Sequence, residues 1–471
     1  MTRPHPLFTR RAAGVLMHPT SLPQGHGTGD LGPSARAFVD WMVKAGLSLW
    51  QMLPVGPVGR GNSPYSGRSA FAGEPLLISL RDLAHDGLLT TRATRCPSEL
   101  KTGRAKYAAA RRFKTTRFRE AFETFHRSAR PRAQAYRDFV SSNRHWLHGW
   151  CLCAGGEPDE QVFLQYLFDR QWKALRRYAN KRGVRLVGDL PIFVDLESAD
   201  VQQHPELFML DRSGRPRSLT GVPPDKFSRE GQLWNHPHYR WPAHRAEKWR
   251  WWTARFRQAL DRFDAVRLDH FLGFVRLWHV PATAKTARSG RWRPTPGREL
   301  LQVLRNRLGL LPIIAEDLGV KTSAVDRLRD EFALPGMRVL QWAFGTPGSG
   351  DLPHNHPHRS VVYPGTHDNE TATGWARHLD PATRKRFQSY AGPSGTPAEA
   401  MVRLAFTSPA TWAICPAQDL LGLPPGTRMN RPGVPRGNWT WRLSEGTLSS
   451  PRARELRILS EVSGRIPGAT S

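Results

Sequence analysis

The sequence predicts an α/β fold, a (β/α)8 TIM barrel with inserted, mainly helical subdomains. Three observations support this prediction. The 471 residues contain eight short apolar runs, and a helical pattern follows most of them. Several runs end in a carboxylate, and a barrel of parallel strands brings such ends together at one face. The length suits one large barrel with insertions, or two to three smaller domains.

The apolar runs are predicted to be the barrel strands. They cover residues 14–18, 49–55, 185–191, 265–268, 312–318, 338–344, 360–368 and 412–421. The first two flank a Gly- and Pro-rich loop and a helix that has Phe38, Trp41 and Met42 on one face. Gly46 stands where a C-capping glycine is expected. This order of strand, loop, helix and strand is the start of an α/β unit.

Residues 81–182 are predicted to form a helical insertion between the second and third strands. Phe118, Phe122 and Phe125 recur at the helical period, and Gly183 follows the last helical pattern as a cap. Residues 192–241 are predicted to be a long loop. The whole of 12–471 would then be a single catalytic barrel, with 192–245 as a loop subdomain over its active site.

Residues 264–274, which read D-A-V-R-L-D-H-F-L-G-F, are the most informative stretch. A charged side chain in a buried strand costs roughly several kcal/mol unless it is paired. Arg267 and Asp269 are two residues apart, so they point to the same side of a strand and can pair. The pair is either a structural salt bridge or an arrangement that keeps Asp269 ionised as a nucleophile.

Carboxylates also end other predicted strands: Asp189 the third, Glu316 the fifth and Asp368 the seventh. Acids that share a pocket raise one another's pKa, so that one of them holds a proton near neutral pH. An ionised Asp269 and a protonated Glu316 are the minimum for retaining glycoside chemistry. Asp269 would attack the anomeric carbon, Glu316 would act as acid and then as base, and Asp368 would bind sugar hydroxyls.

Other side chains are candidate ligands of a sugar. Three histidines could bind hydroxyls or could be hydrogen-bonded packing residues: His18, His270 and His367. Three aromatic residues could stack on sugar faces: Tyr65, Phe227 and Trp234. Tyr65 lies on a Gly- and Pro-rich loop, residues 61–75, and could equally anchor that loop. No phosphate-binding glycine loop or dinucleotide fingerprint is present, which argues against a nucleotide cofactor.

Composition sets further expectations. The formal net charge of +29 favours polyanion binding at low salt, but the basic residues are scattered, so no specific nucleic-acid partner is expected. Four cysteines argue against a disulfide framework, and none stands at zinc spacing, so no metal is expected. The sequence shows no apolar run long enough for a bilayer and no secretory signal, which predicts a cytoplasmic protein without a membrane partner.

Ten ordered motifs then indicate a family. They are H-P-T-S-L-P, S-P-Y-S-G-R-S-A-F-A-G, G-D-L-P-I-F-V, G-V-P-P-D, G-Q-L-W, V-R-L-D-H-F-L-G-F, A-E-D-L-G, P-G-M-R-V-L-Q, G-T-H-D-N-E-T and R-M-N-R-P-G. Through them the chain resembles the amylomaltases, the 4-α-glucanotransferase or disproportionating-enzyme family. The resemblance covers nearly all of the chain outside residues 82–159.

The resemblance implies a nucleophile at Asp269, an acid/base at Glu316 and a stabilising carboxylate at Asp368. It also implies sugar contacts from Tyr65, Asp189, Trp234, Arg267, His270, His367 and Asn430. Such an enzyme breaks an α-1,4 bond, holds a covalent glucanyl-enzyme and passes it to the 4-hydroxyl of another glucan, with neither a metal nor an organic cofactor. Residues 221–227 are similar to the family's mobile loop, which would exclude water.

Several positions depart from the family pattern and put acceptor preference and loop closure in question. They are Lys226 in place of Tyr, Glu74 in place of Asn, Gln202 in place of Trp, Asn235 in place of Gly, and a shortened segment near residues 146–156. The leading hypothesis is a 4-α-glucanotransferase that acts on maltooligosaccharides and α-1,4-glucans. The alternatives are a catalytically weak glucan-binding protein, an α-glucan hydrolase and a polyanion-binding protein. Chain-length preference and oligomeric state stay open.

Overall fold

A computed structural model describes residues 3–129, 133–224, 228–320, 322–393, 395–434 and 436–466. The strands within these residues are β1 (Ala12–Leu16), β2 (Leu49–Gln51), β3 (Arg185–Leu190), β4 (Ser218–Val222), β5 (Gln232–Pro237), β6 (Ala265–Leu268), β7 (Arg276–Pro281), β8 (Arg291–Pro294), β9 (Ile313–Ala315), β10 (Gly336–Val339), β11 (Ser360–Tyr363) and β12 (Trp412–Pro416).

The helices of the same residues surround or interrupt these strands. They are α1 (Pro33–Lys44), α2 (Leu80–His85), α3 (Ser98–Lys101), α4 (Tyr107–Arg127), α5 (Gln134–Ala154), α6 (Pro158–Lys181), α7 (Ala199–Gln203), α8 (Trp241–Ala246), α9 (Arg250–Arg262), α10 (Gly297–Leu308), α11 (Ser323–Glu331), α12 (Ala372–Arg377), α13 (Pro381–Ala391), α14 (Pro397–Thr407), α15 (Ala417–Leu420) and α16 (Ser450–Val462).

Eight parallel strands close into a barrel in the order β1-β12-β11-β10-β9-β6-β3-β2. Each predicted apolar run overlaps one of these strands, and the predicted barrel is confirmed. The strands are buried on both faces because helices cover the outside. For example, Trp50 of β2 packs edge-on against Phe38 of α1, with ring centroids 4.9 Å apart.

Several predicted strands are shorter than expected, including β2 and β9, which have three residues each. β11 ends at Tyr363, so Asp368 does not end a strand and lies instead in the loop that follows. Pro364 comes next and has no N–H to continue the ladder. Similarly, β10 gives way to a 3₁₀ turn, Leu340–Trp342, and β12 ends at Pro416, the N-cap of α15. Apolar composition alone does not show where a buried strand becomes a buried turn.

Helices α2 to α6 lie between β2 and β3. Phe125 of α4 packs on Phe163 of α6, with ring centroids 4.7 Å apart. Gln165 of α6 accepts from the backbone N–H of Gly73 (2.7 Å) and donates to its carbonyl (3.0 Å). These helices are therefore fixed to the segment that follows β2 by packing and by hydrogen bonds.

The prediction of one long loop over residues 192–241 is wrong. That region contains α7, β4 and β5, and the two strands belong to an antiparallel sheet with the order β5-β4-β7-β8. The strands are short and partly polar, and they stand among glycines and prolines, so neither periodicity nor composition identifies them. Their partners β7 and β8 come later in the chain.

None of the helices in the described ranges is long and apolar enough to cross a membrane.

Candidate active site

Arg267 connects two carboxylates at the carboxyl end of the barrel. Its Nη1 atom lies 2.9 Å from Oδ1 of Asp269 and 2.8 Å from Oδ2 of Asp189. Asp189 and Arg267 are register partners in the pairing of β3 with β6, and Asp269 directly follows β6. The side chain of Asp189 is fully buried, whereas 27% of the Asp269 side chain is exposed. Asp269 thus has a cation beside it and an open side toward the barrel mouth.

The contact between Arg267 and Asp189 was not predicted, because it joins residues 78 positions apart. The Tyr65 hydroxyl also donates to Oδ2 of Asp189, at 2.8 Å. Burial raises the pKa of Asp189 to about 7, although Arg267 and the Tyr65 hydrogen bond oppose that rise. Asp189 therefore accepts hydrogen bonds from both Arg267 and Tyr65 and orients the two side chains.

Glu316 directly follows β9 and is held by two backbone donors. Its Oε2 accepts from the N–H of His270 (2.8 Å), and its Oε1 accepts from the N–H of Leu318 (3.1 Å). Burial, with a further contribution from the neighbouring Asp269, raises the pKa of Glu316 to about 8 against the opposing effect of Arg267. Glu316 consequently carries a proton at neutral pH, as a general acid must.

The next residue, Asp317, faces away from this group. It accepts from the N–H of Met337 at 2.7 Å and forms an ion pair with Arg329 at 2.5 Å. The neighbouring acids Glu316 and Asp317 thus have different roles, and only Glu316 belongs to the site.

Asp368 lies in the loop after β11 and contacts Asn430 from the C-terminal part of the chain. The Nδ2 atom of Asn430 donates to Oδ1 of Asp368 at 2.6 Å. Nε2 of His367 lies 3.4 Å from the same oxygen, and burial lowers the pKa of His367, so the ring is neutral. The Tyr65 ring stacks on His367 with centroids 5.1 Å apart. The structure therefore places Tyr65, His367, Asp368 and Asn430 together.

Trp234 and His270 form a second wall. Their rings meet edge to face with centroids 5.0 Å apart. Burial lowers the pKa of His270 to about 4, and its Nε2 atom has no hydrogen-bond partner in the described part of the chain. The left-handed backbone of His270, with φ 51°, presents its N–H to Glu316.

Two other predicted sugar ligands are not brought into this group. His18 is buried, with a pKa that burial lowers to about 3, and it lines a cavity together with His367 but contacts none of the three carboxylates through a described hydrogen bond. Phe227 lies outside the described residues, as does Lys226, whose departure from the family pattern therefore has no structural account.

The other substitutions have local explanations. Asn235 stands where the family has glycine, and its φ of 63° is a left-handed conformation that asparagine tolerates better than most residues. Glu74 is buried and accepts from the N–H groups of Val58 (2.9 Å) and Leu76 (3.0 Å). Gln202 is exposed on α7 and donates to the carbonyl of Glu197 at 3.2 Å. None of the hydrogen bonds named for Glu74 and Gln202 involves a carboxylate of the site.

Sequence reasoning missed two charged residues beside Asp368. They are Arg428 and Glu370, which lie within the quoted motifs R-M-N-R-P-G and G-T-H-D-N-E-T. The motifs therefore contained the signal, but the contact of Arg428 with the backbone of Asp368 spans 60 residues. Across the described residues, no group of three or more His, Cys, Asp and Glu could hold a metal ion.

The barrel thus presents an ion-paired aspartate, a protonated glutamate and a further carboxylate at its carboxyl-terminal face. Retaining enzymes that act on glycosidic bonds need a carboxylate nucleophile and a carboxylic acid of this kind. Neutral histidines and aromatic rings beside them suit a neutral, polyhydroxylated ligand. Fold and site together define a carbohydrate-active enzyme of the barrel class.

Comparison with known proteins gives the family. The sequence model of the 4-alpha-glucanotransferase family matches residues 17–154 and 155–449. A 4-alpha-glucanotransferase of Thermus thermophilus is 41% identical, with 97% of this chain and 99% of the relative covered. A chloroplastic/amyloplastic 4-alpha-glucanotransferase of Arabidopsis thaliana is 39% identical, with 96% and 86% covered. The chain belongs to the 4-alpha-glucanotransferase family, as its motifs predicted.

Solved structures agree. The amylomaltase of Streptococcus agalactiae, solved with acarbose, superposes with a TM-score of 0.92 at 32% identity, covering 97% of this chain and 100% of that one. The amylomaltase of Corynebacterium glutamicum, at 18% identity and a TM-score of 0.83, shares the fold over 98% of this chain and 76% of that one.

The alignment with the Thermus thermophilus relative has 500 positions against 471 residues in this chain, so at least 29 positions of that alignment have no counterpart here.

Proposed function

We propose that this 4-α-glucanotransferase moves α-1,4-glucan segments between maltooligosaccharides through a covalent glucanyl-enzyme on Asp269. The observation that carries the proposal is the contrast between two neighbouring acids. Asp269 has the Arg267 guanidinium at 2.9 Å, whereas burial raises the pKa of Glu316 to about 8. The first has the charge that a nucleophile needs, and the second has the proton that a leaving oxygen needs.

The reaction would have two steps. Glu316 first gives its proton to the glycosidic oxygen, and an Oδ atom of Asp269 attacks the anomeric carbon as the bond to that oxygen breaks. The shortened glucan leaves, and the other segment stays bound as an ester of Asp269. The 4-hydroxyl of an acceptor glucan then gives its proton to Glu316 and displaces Asp269, which restores both groups and retains the anomeric configuration.

The remaining predicted residues would bind the sugar. Asp368, oriented by Asn430, and the half-buried His270 would form hydrogen bonds with sugar hydroxyls. Tyr65 and Trp234, each half-buried, would supply aromatic surface. The Streptococcus agalactiae amylomaltase, which superposes with a TM-score of 0.92, was solved in complex with acarbose, which supports a ligand of the same chemical class for this chain.

The antiparallel sheet would form the acceptor side. We assign residues 192–245 to a subdomain over the active site, residues 81–182 to a helical insertion, and the whole of 12–471 to one catalytic unit. Trp234 lies on β5 of that sheet and contacts His270, which supports the first assignment. A cover of this kind excludes water and favours transfer over hydrolysis.

Incubation with maltotriose tests the proposal. We expect glucose together with a ladder of longer oligosaccharides when the products are separated. Asp269→Asn should reduce the rate by about 10³-fold or more, because the amide is no nucleophile. Asp380→Asn is the matched control, since Asp380 is an exposed N-cap of α13 and asparagine caps equally well.

Other product patterns would favour the alternatives. Glucose and maltose without longer products would indicate a hydrolase. Binding of glucan by folded protein without turnover would indicate a glucan-binding protein. An active Asp269→Asn variant would refute the assignment of the nucleophile.

A further inference from the structure

We propose that Arg428 is a positioning residue for Asp368 and that Glu370 holds Arg428 in place. The proposal rests on the proposed role of Asp368 in binding the reacting sugar. Arg428 itself lies in the segment after α15, while Asp368 and Glu370 lie in the loop between β11 and α12. The contact therefore joins two loops, neither of which is held at this point by a regular strand or helix.

The Arg428 guanidinium reaches three acceptors at once. Its Nη2 donates to the backbone carbonyl of Asp368 (2.5 Å), and its Nε donates to the carbonyl of Asn430 (2.6 Å). Its Nη1 lies 3.4 Å from Oε2 of Glu370. The planar arrangement of donors on arginine matches such a set, whereas lysine offers one compact charged group.

These contacts fix both partners of the hydrogen bond that orients Asp368. The backbone of Asp368 and the backbone of Asn430 are each held by Arg428, and Asn430 Nδ2 donates to Oδ1 of Asp368 at 2.6 Å. The N–H of Asn430 also donates to the carbonyl of His367 at 3.1 Å. Movement of Arg428 would consequently shift the carboxylate of Asp368 relative to the sugar.

Glu370 is itself anchored. Its Oε1 accepts from the N–H of Thr371 at 3.0 Å, and its carbonyl accepts from Nε2 of Gln341 at 2.6 Å. Its side chain also packs against Gly374, where an added Cβ would lie 2.6 Å from Cγ of Glu370. A methyl group at position 374 would therefore displace the side chain of Glu370, which contacts Arg428.

A cavity borders these two loops on one side. It is lined by His18, Glu370, Asp419 and Arg428, among others. Within the described residues, Nδ1 of His18 and Oδ2 of Asp419 are buried without a hydrogen-bond partner. Side chains next to a cavity lose the contacts that keep a close-packed core in place. On the cavity side, the hydrogen bonds of Arg428 therefore supply contacts to Asp368 and Asn430 that packing does not.

Arg428→Lys tests the proposal, because it keeps the charge and removes the planar set of donors. We expect kcat for maltotriose disproportionation to fall about 10- to 100-fold with KM changed less than about threefold, as for a small misplacement of a reacting group. Arg431→Lys, at an exposed position on the same segment, should leave kcat unchanged. Gly374→Ala should also lower kcat through Glu370, and it serves as the test if Arg428→Lys does not fold.

A double-mutant cycle separates positioning from general destabilisation. In the Asp368→Asn background, Arg428→Lys should cost less than about threefold in rate, because its target carboxylate is gone. Maltosyl fluoride, an activated donor, keeps these slow variants measurable. The proposal would be overturned if Asp368→Asn and Arg428→Lys together lowered the rate by the product of their separate effects. An unchanged kcat in folded Arg428→Lys or Gly374→Ala would also overturn it. Wild-type protein that does not convert maltotriose would instead refute the proposed function.

Discussion

Arg267 shows how one buried side chain can give neighbouring acids different charges. Its Nη1 atom is shared between Asp189 and Asp269, and both its own side chain and that of Asp189 are buried. A buried ion pair is weak evidence for stability, since desolvation offsets much of the attraction. Here it has a chemical use, because it keeps a cation beside Asp269 while the buried Glu316 stays protonated.

The protonation of Glu316 predicts the pH dependence of the first step. Because burial raises the pKa of Glu316 to about 8, the free enzyme loses its general acid as pH rises through that value. We expect kcat/KM for maltotriose to fall above about pH 8. With maltosyl fluoride, whose leaving group needs no proton, this decrease should largely disappear. A decrease of the same size with both donors would mean that another group titrates.

The same pKa has a consequence for stability. Its value in the folded state lies above that of an ordinary glutamic acid, so the folded protein holds this proton more tightly than the unfolded chain. The contribution of Glu316 to stability is complete at acid pH and is lost as pH rises toward about 8. Asp189, with a pKa that burial raises to about 7, acts in the same direction. These two groups therefore lower the free energy of unfolding most at a pH above about 8, where both are ionised.

At the scale of elements, the barrel strands could be predicted and the antiparallel sheet could not. A strand such as β6 is a continuous buried run whose one charge, Arg267, is visible as an exception. β4 and β5 have partly exposed residues on both faces, so they lack the clean alternation of a half-buried strand. Their pairing with β7 and β8 is a long-range choice that local sequence does not specify.

The carboxylates of the site also differ in how well the sequence predicts their positions. Asp269 and Glu316 directly follow their strands, so the strand prediction also placed them. Asp368 lies in a loop, and its contacts come from Asn430 and Arg428, about 60 residues further along the chain. Motifs from the family resemblance named Asn430, but only the folded structure shows what it contacts.

The position of Trp234 on β5 of the antiparallel sheet leads to a specific prediction for its substitution. Trp234→Ala removes an aromatic surface beside His270, so we expect weaker acceptor binding, with KM for the acceptor raised about 10-fold, corresponding to roughly 1–1.5 kcal/mol of lost stacking. A larger share of the glucanyl-enzyme should then react with water. The ratio of new reducing ends to transferred glucan measures this share.

Trp292→Ala is the matched control for Trp234→Ala. Trp292 lies on β8, the other edge strand of the same sheet, where it packs on Trp278 with centroids 5.1 Å apart and beneath the guanidinium of Arg276. It should leave the ratio of hydrolysis to transfer unchanged. An equal rise in hydrolysis for both variants would indicate a general loosening of the sheet.

At the scale of the whole molecule, part of the +29 charge is used inside the fold. Arg255 donates to the carbonyls of Ile192 and Phe193, and Arg442 donates to the carbonyl of Leu100. Arginine suits this role because it has five donors and is more weakly hydrated than lysine. Such residues add to the formal charge without adding to an exposed basic surface. For the exposed basic residues we still predict polyanion binding that is lost at physiological salt.

Arg465 is the most buried example and closes the barrel at its amino-terminal face. It has no exposed surface and donates to the carbonyls of Ala12, Thr411, Phe406, Ser408 and Ala410 at 2.6–3.0 Å. It thereby connects the segment after α16 with the starts of β1 and β12, with the end of α14 and with the loop between α14 and β12. The active site lies at the opposite face of a barrel.

Arg465→Met should therefore reduce stability and leave catalysis intact. The substitution leaves several buried carbonyls without donors, at about 1–3 kcal/mol each before relaxation, so we expect the free energy of unfolding to fall by about 3 kcal/mol or more. Chemical denaturation would measure this loss, and kcat for maltotriose at 25 °C should stay within about twofold of wild type. Arg454→Met, at an exposed position on α16, should change neither quantity. A reduced kcat in folded Arg465→Met would show that the two faces of the barrel are coupled.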